Sequence, residues 1–149
     1  MKRSSVLLTA ALLAGAAGAA ISSSGSAQAP TLRTLTFTEQ NAKEYATRYN
    51  DKYFSPDDSY VFTAKLKDAA GNGAGRASGA CSAIGRNSTE CQGTLFLKAG
   101  KIFVSGGATA GAKTVIGVVG GTGAYIGARG TLTTVDRKSG DLLTVTLLP

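Results

Sequence analysis

Val118-Val119-Gly120-Gly121-Thr122-Gly123-Ala124-Tyr125-Ile126-Gly127-Ala128-Arg129-Gly130-Thr131-Leu132 joins two β-rich runs across a cluster of glycines. Glycine takes positive φ readily and leaves room for a close backbone neighbour, so the stretch reads as strand, tight turn, strand. Gly121-x-Gly123-x-x-x-Gly127 does not match the dinucleotide-binding fingerprint, which needs a helix after the glycines; here a strand follows. Arg129 is carried into the second run. Alternation places it on the face of Thr131 and Thr133. If that face points inward, a cation lies in an apolar interior and needs partners, for which Glu39, Asp68 and Asp136 are candidates. If it points outward, Arg129 is a surface residue.

The same pattern extends upstream and downstream. Arg33-Thr34-Leu35-Thr36-Phe37-Thr38 alternates polar and apolar, with Leu35 and Phe37 on one face. Tyr60, Phe62, Ala64 and Leu66 share a face, and Asp68 to Gly73 forms a hairpin loop holding an Asn-Gly turn. Further strands are expected at Gly75–Ile84, Gln92–Lys98, Lys101–Ser105, Thr114–Val119, Ala128–Val135 and Leu142–Leu148. Gly106–Gly111 reads as a small-residue loop. Glu39–Asp58 is polar and tyrosine-bearing, and reads as a long connection with a helical turn around Ala42–Tyr49. Eight short strands in strict succession imply antiparallel neighbours. They can close into an all-β, up-and-down barrel that has no free edges; a two-sheet sandwich is the alternative from pattern alone.

The 149 residues suffice for one such domain, expected over 30–149. Residues 1–29 have the layout of a secretory signal peptide: basic Lys2 and Arg3, an apolar run from Val6 to Ile21, then Ala27-Gln28-Ala29 as a small-x-small cleavage site. The mature protein is expected outside the cell, with no membrane association after cleavage. Such a compartment is oxidising. The spacing of the two cysteines, Cys81 and Cys91, suits a cross-strand or loop-closing disulfide. Without Lys2 and Arg3 the chain keeps 14 Lys/Arg against 9 Asp/Glu. These charges are dispersed, which favours a soluble basic surface over a nucleic-acid partner.

The chain contains no histidine, which excludes Ser-His-Asp and Cys-His hydrolase chemistry. Two isolated cysteines make a poor metal site, so no metal or organic cofactor is expected. Asn87-Ser88-Thr89 matches a glycosylation sequon. Glu39 and Asn41, after the first strand, offer a carboxylate and an amide able to orient water or a ligand oxygen; the alternative is a loop-solvating or capping role. Tyr45, Tyr49, Tyr53, Tyr60 and Tyr125 are candidates for lining a pocket, Tyr60 and Tyr125 foremost.

Three segments resemble the allene oxide cyclase-like barrel superfamily, which includes the dirigent proteins. VVGGTGAYIGARG at Val118–Gly130 is similar to the dirigent Gly-Gly-Thr-Gly motif with its Ala-Arg-Gly ending. Tyr60–Ile84 resembles the second and third strands, and LTFTEQN at Leu35–Asn41 resembles the cyclase first strand. The resemblance implies an eight-stranded barrel around an apolar cavity, assembled as a homotrimer, that takes a small apolar or aromatic molecule. It implies that Glu39 and Asn41 hold a water and assist epoxide opening, and that Arg129 lies at the cavity. The family's asparagine in the Phe-Thr-Asn segment is replaced by Ala64, and the dirigent first-strand His-Asp pair is absent. These departures rank a fatty-acid-epoxide isomerase behind a barrel that binds a small molecule and steers its cyclisation or coupling. A non-catalytic module whose interior is filled by Phe37, Phe62, Leu95 and Phe103 is the other reading.

Overall fold

The computed structural model describes residues 31–47, 55–56, 58–109, 111 and 113–149, without the side chain of Asn41. The signal-peptide expectation for residues 1–29 lies outside them, as do Tyr49 and Tyr53. The described residues contain no helix long and apolar enough to cross a membrane.

Eight strands form one closed antiparallel barrel in sequence order. They are β1 (Arg33–Thr47), β2 (Ser59–Lys67), β3 (Gly73–Gly85), β4 (Ser88–Leu97), β5 (Gly100–Thr109), β6 (Lys113–Gly121), β7 (Gly130–Val135) and β8 (Leu142–Leu147). Closure is made by β1 against β8, from Arg33 opposite Leu147 to Thr38 opposite Leu142. Every strand therefore has two hydrogen-bonded neighbours along at least part of its length, which removes the edges of an open sheet.

Two stretches differ from the sequence expectation. The segment after Glu39 is not a connection with a helical turn: β1 continues to Thr47, held by pairing of Lys43–Thr47 with Thr63–Ser59 of β2. Its own pattern is polar, so the partner strand supplies the order. Gly106 and Gly107 likewise extend β5, opposite Cys91 and Glu90. The barrel is thus taller on its β1–β5 side than on the β6–β8 side, where β7 and β8 have six residues each.

One end is solid. Phe37, Leu66, Leu95, Ile102, Val145 and Leu147 are all buried there in one cluster, each apolar side chain contributing about 1.5–3 kcal/mol of burial free energy. The glycine cluster seals this end. Between β6 and β7 the chain makes a single 3-10 turn, η1 (Gly123–Tyr125), rather than a two-residue hairpin, and β7 begins at Gly130. Tyr125 points back into the core and is buried, with the Arg33 guanidinium 5.4 Å from its ring centre. The η1 segment locks onto the β4–β5 turn: the Ala124 amide donates to the Ala99 carbonyl at 2.9 Å, and the Thr122 amide to the Lys101 carbonyl at 2.9 Å. Gly123 has φ +61°, and a Cβ there would lie 2.5 Å from the Ala99 carbonyl oxygen. The glycine is needed both for the turn and for the contact.

Candidate binding cavity

Opposite the sealed end the barrel holds a cavity of about 290 Å³ that opens at the rim. That is roughly twice the ~150 Å³ apolar cavity that accepts one benzene, and it gives room for a two-ring molecule. Its apolar lining includes Phe62, Ala77, Leu95, Val104, Ile116 and Leu132, contributed by β2 to β7. The packed-interior expectation holds only for the closed half: Phe37 and Leu95 are buried, Phe62 lines the cavity, and Phe103 lies on the opposite strand face from buried Ile102 and Val104.

The rim is polar. Glu39, Glu44, Asp136 and Asp141 all line the cavity, together with Tyr60, Thr114 and Thr134. Glu39 reaches it by simple alternation, two residues after buried Phe37 and opposite buried Leu66. Glu44 reaches it through a β-bulge. Gln40 pairs with Lys65 but Lys43 pairs with Thr63, so β1 has one extra residue between them. The bulge reverses the alternation. Glu44 then stands opposite Phe62 on the inner face, and Tyr45 turns out to 66% exposure. The backbone of Asn41 lies within this bulge.

Asp136 and Asp141 flank the β7–β8 turn. Gly140, at φ +108°, presses this turn against β1: a Cβ on Gly140 would lie 2.0 Å from the Glu39 carbonyl oxygen. The Glu39 amide donates to the Asp141 carbonyl at 2.8 Å. The Glu39 carboxyl is therefore half-buried beside a second carboxylate. Burial first, and the Asp141 charge second, push its pKa from 4.5 up to about 7. Tyr60, on the tall wall, is also shifted upward, by burial and then by the Glu44 charge, while a hydrogen bond with Thr89 opposes the shift. Its ring centre is 6.5 Å from that of Phe62.

Cys81 and Cys91 face each other across β3 and β4 and form a disulfide that lines the cavity wall. It ties the two strands together near the mouth.

The residues expected from sequence thus divide between the two ends. Glu39 and Tyr60 line the cavity. Tyr125 is part of the plug at the closed end, and Arg129 is exposed beside it, its carbonyl accepting from the Leu148 amide at 2.8 Å. Neither lines the cavity; of the three partners considered for Arg129, Glu39 and Asp136 lie at the opposite rim and Asp68 lies in the β2–β3 turn. Glu44 and Asp141 were missed: the first is hidden by the bulge, the second belongs to a polar turn whose approach to β1 no local pattern announces. Among the described residues no cluster of His, Cys, Asp and Glu is arranged to hold a metal ion.

No family model matches the sequence, and no curated protein matches it at significance. Solved structures do. Pyocyanin demethylase superposes with TM-score 0.66 at 24% identity, over 78% of this chain and 99% of that one. The pterocarpan synthase dirigent protein GePTS1 gives TM-score 0.60 at 16% identity, over 79% of this chain and 83% of that one. AbnU, an exo-specific intermolecular Diels-Alderase, gives TM-score 0.58 at 15% identity, over 80% and 99%. With the closed eight-stranded topology, these matches establish the fold: the chain is an eight-stranded antiparallel β-barrel of the kind seen in those structures.

Proposed function

We propose that this barrel binds a small apolar or aromatic molecule and steers its cyclisation or coupling, with Glu39 as the proton-handling group. The observation that carries the reading is the cavity itself: an apolar floor that opens at one rim, with a half-buried carboxyl at the mouth. An apolar floor holds a flexible molecule in a folded, reactive shape and so supplies proximity. A carboxyl pushed up to about 7 is present in both protonation states near neutral pH, as general acid–base work requires. The names of the three structural neighbours, a demethylase, a pterocarpan synthase and a Diels-Alderase, are those of proteins acting on small molecules, which supports the same reading. The unfilled half of the interior counts against the packed-module alternative. The cavity-wall disulfide is what an exported protein would carry; we therefore place the mature protein outside the cytoplasm.

Calorimetric titration of an aromatic ligand panel tests the reading. The native protein should bind at least one member, and Ala77→Phe, which fills the cavity from a buried position, should abolish that binding. Once a reacting ligand is in hand, Glu39→Gln should lose about 10²–10⁴-fold in rate, far more than it loses in affinity. Equal binding by native protein and Ala77→Phe would put the ligand elsewhere.

A further inference from the structure

The distribution of charge around the cavity is lopsided. Among the described residues, four acids line the cavity, Glu39, Glu44, Asp136 and Asp141, and of the described Lys and Arg only Lys43 does; it sits at the exposed rim on the outward side of β1, opposite Thr63. The protein as a whole is basic, whereas acids outnumber bases among the described residues that line this cavity. The acids arrive by separate routes: alternation for Glu39, the bulge for Glu44, and the turn braced by Gly140 for Asp136 and Asp141. Beneath them on the tall wall are the rings of Tyr60 and Phe62. Aromatic faces attract cations through the ring quadrupole, and carboxylates attract them directly in a partly desolvated site.

We infer that the molecule taken by this cavity is cationic, with an aromatic or apolar body on the floor and a positively charged nitrogen at the carboxylate-lined mouth. The inference rests on the proposed small-molecule function and specifies its substrate class. It excludes molecules that would bring a carboxylate to the rim, such as fatty-acid derivatives, because the predominantly acidic rim would oppose them. A cation at the mouth would also offset the repulsion between Glu39 and Asp141.

The test is a charge series on one two-ring skeleton, titrated calorimetrically at pH 8 and low salt: 1-methylquinolinium, 1-methylnaphthalene and 1-naphthoate. The cation should bind at least about tenfold more tightly than the neutral compound, with the anion weakest. In the double variant Asp136→Asn/Asp141→Asn the cation should lose about tenfold in affinity while the neutral compound, which reports an intact cavity, is unchanged. If the neutral compound binds as well as the cation, or the anion binds best, the charge inference fails and the small-molecule reading stands. If none of the three binds, the small-molecule reading fails and this inference falls with it. Should the double variant not fold, the native protein's ranking of the three compounds decides alone.

Discussion

Glu39 shows how one side chain can carry cost and function together. Its folded pKa, about 7, lies above the value of 4.5 expected when the chain is unfolded. Between these two values the unfolded chain ionises first, so stability falls as pH rises from about 4.5 to 7, and the penalty is constant above. Asp141, Asp136, Glu44, Lys43 and Tyr60 surround the same space. We predict that Glu39→Gln raises Tm by a few degrees at pH 8 and leaves it nearly unchanged at pH 4.5, as measured by thermal unfolding at both pH values. An equal rise at both would place the effect in packing rather than ionisation. Glu39 was singled out from residue type and the resemblance, not from alternation, which was expected to stop at Thr38; in the structure the alternation of Leu35 and Phe37 runs on into it. The setting of Arg129 was not legible: a period of two does not say which of two faces is inside. In the structure β7 begins at Gly130, so Arg129 precedes the strand expected to carry it, and it is exposed.

At the scale of elements, three features shape the cavity: the bulge in β1, the β7–β8 turn and the disulfide between β3 and β4. The seven strands that follow β1 were legible from alternation and turn residues, most to within a few residues. The second half of β1 was not, because Ala42–Thr47 is exposed throughout and has no apolar face to read; pairing with β2 orders it. The bulge then moves Glu44 rather than Tyr45 inward, a displacement invisible to any periodic reading of the sequence. The disulfide closes a short loop, and cross-links of this size contribute about 2–3 kcal/mol by restricting the unfolded chain. Replacing both cysteines with serine should lower Tm by several degrees, and a reducing agent should bring the native protein to the same value without affecting the variant. Coincident melts of the native protein with and without reductant would show that the link adds no stability.

The whole molecule is a barrel with two unlike ends. One is packed solid and locked by backbone contacts around the glycine cluster; the other is open and acidic, in a protein of positive net charge. The glycine-rich stretch therefore builds the closed end, while the acidic groups lie at the other, contributed by a bulge and a turn. Closure depends on β8, which supplies partners for both β1 and β7. Deleting Leu142–Pro149 should abolish the cooperative melt and give aggregated protein in size-exclusion chromatography, because two edges are exposed at once. A monomeric, cooperatively melting truncation would show that the remaining strands close without it.

That closure also imposes an order in time. The chain is made from β1 onward, and the strand that seals β1 on its free side is the last of the eight to appear. Local hairpins can form as each strand emerges, yet the cylinder is not complete until every intervening strand is present, so the slow step is the meeting of the two most distant parts of the domain. Throughout that interval the growing sheet has two unsatisfied margins. Each newly made molecule therefore runs a race between joining its own margins and joining those of a neighbour, and dilution favours the first outcome.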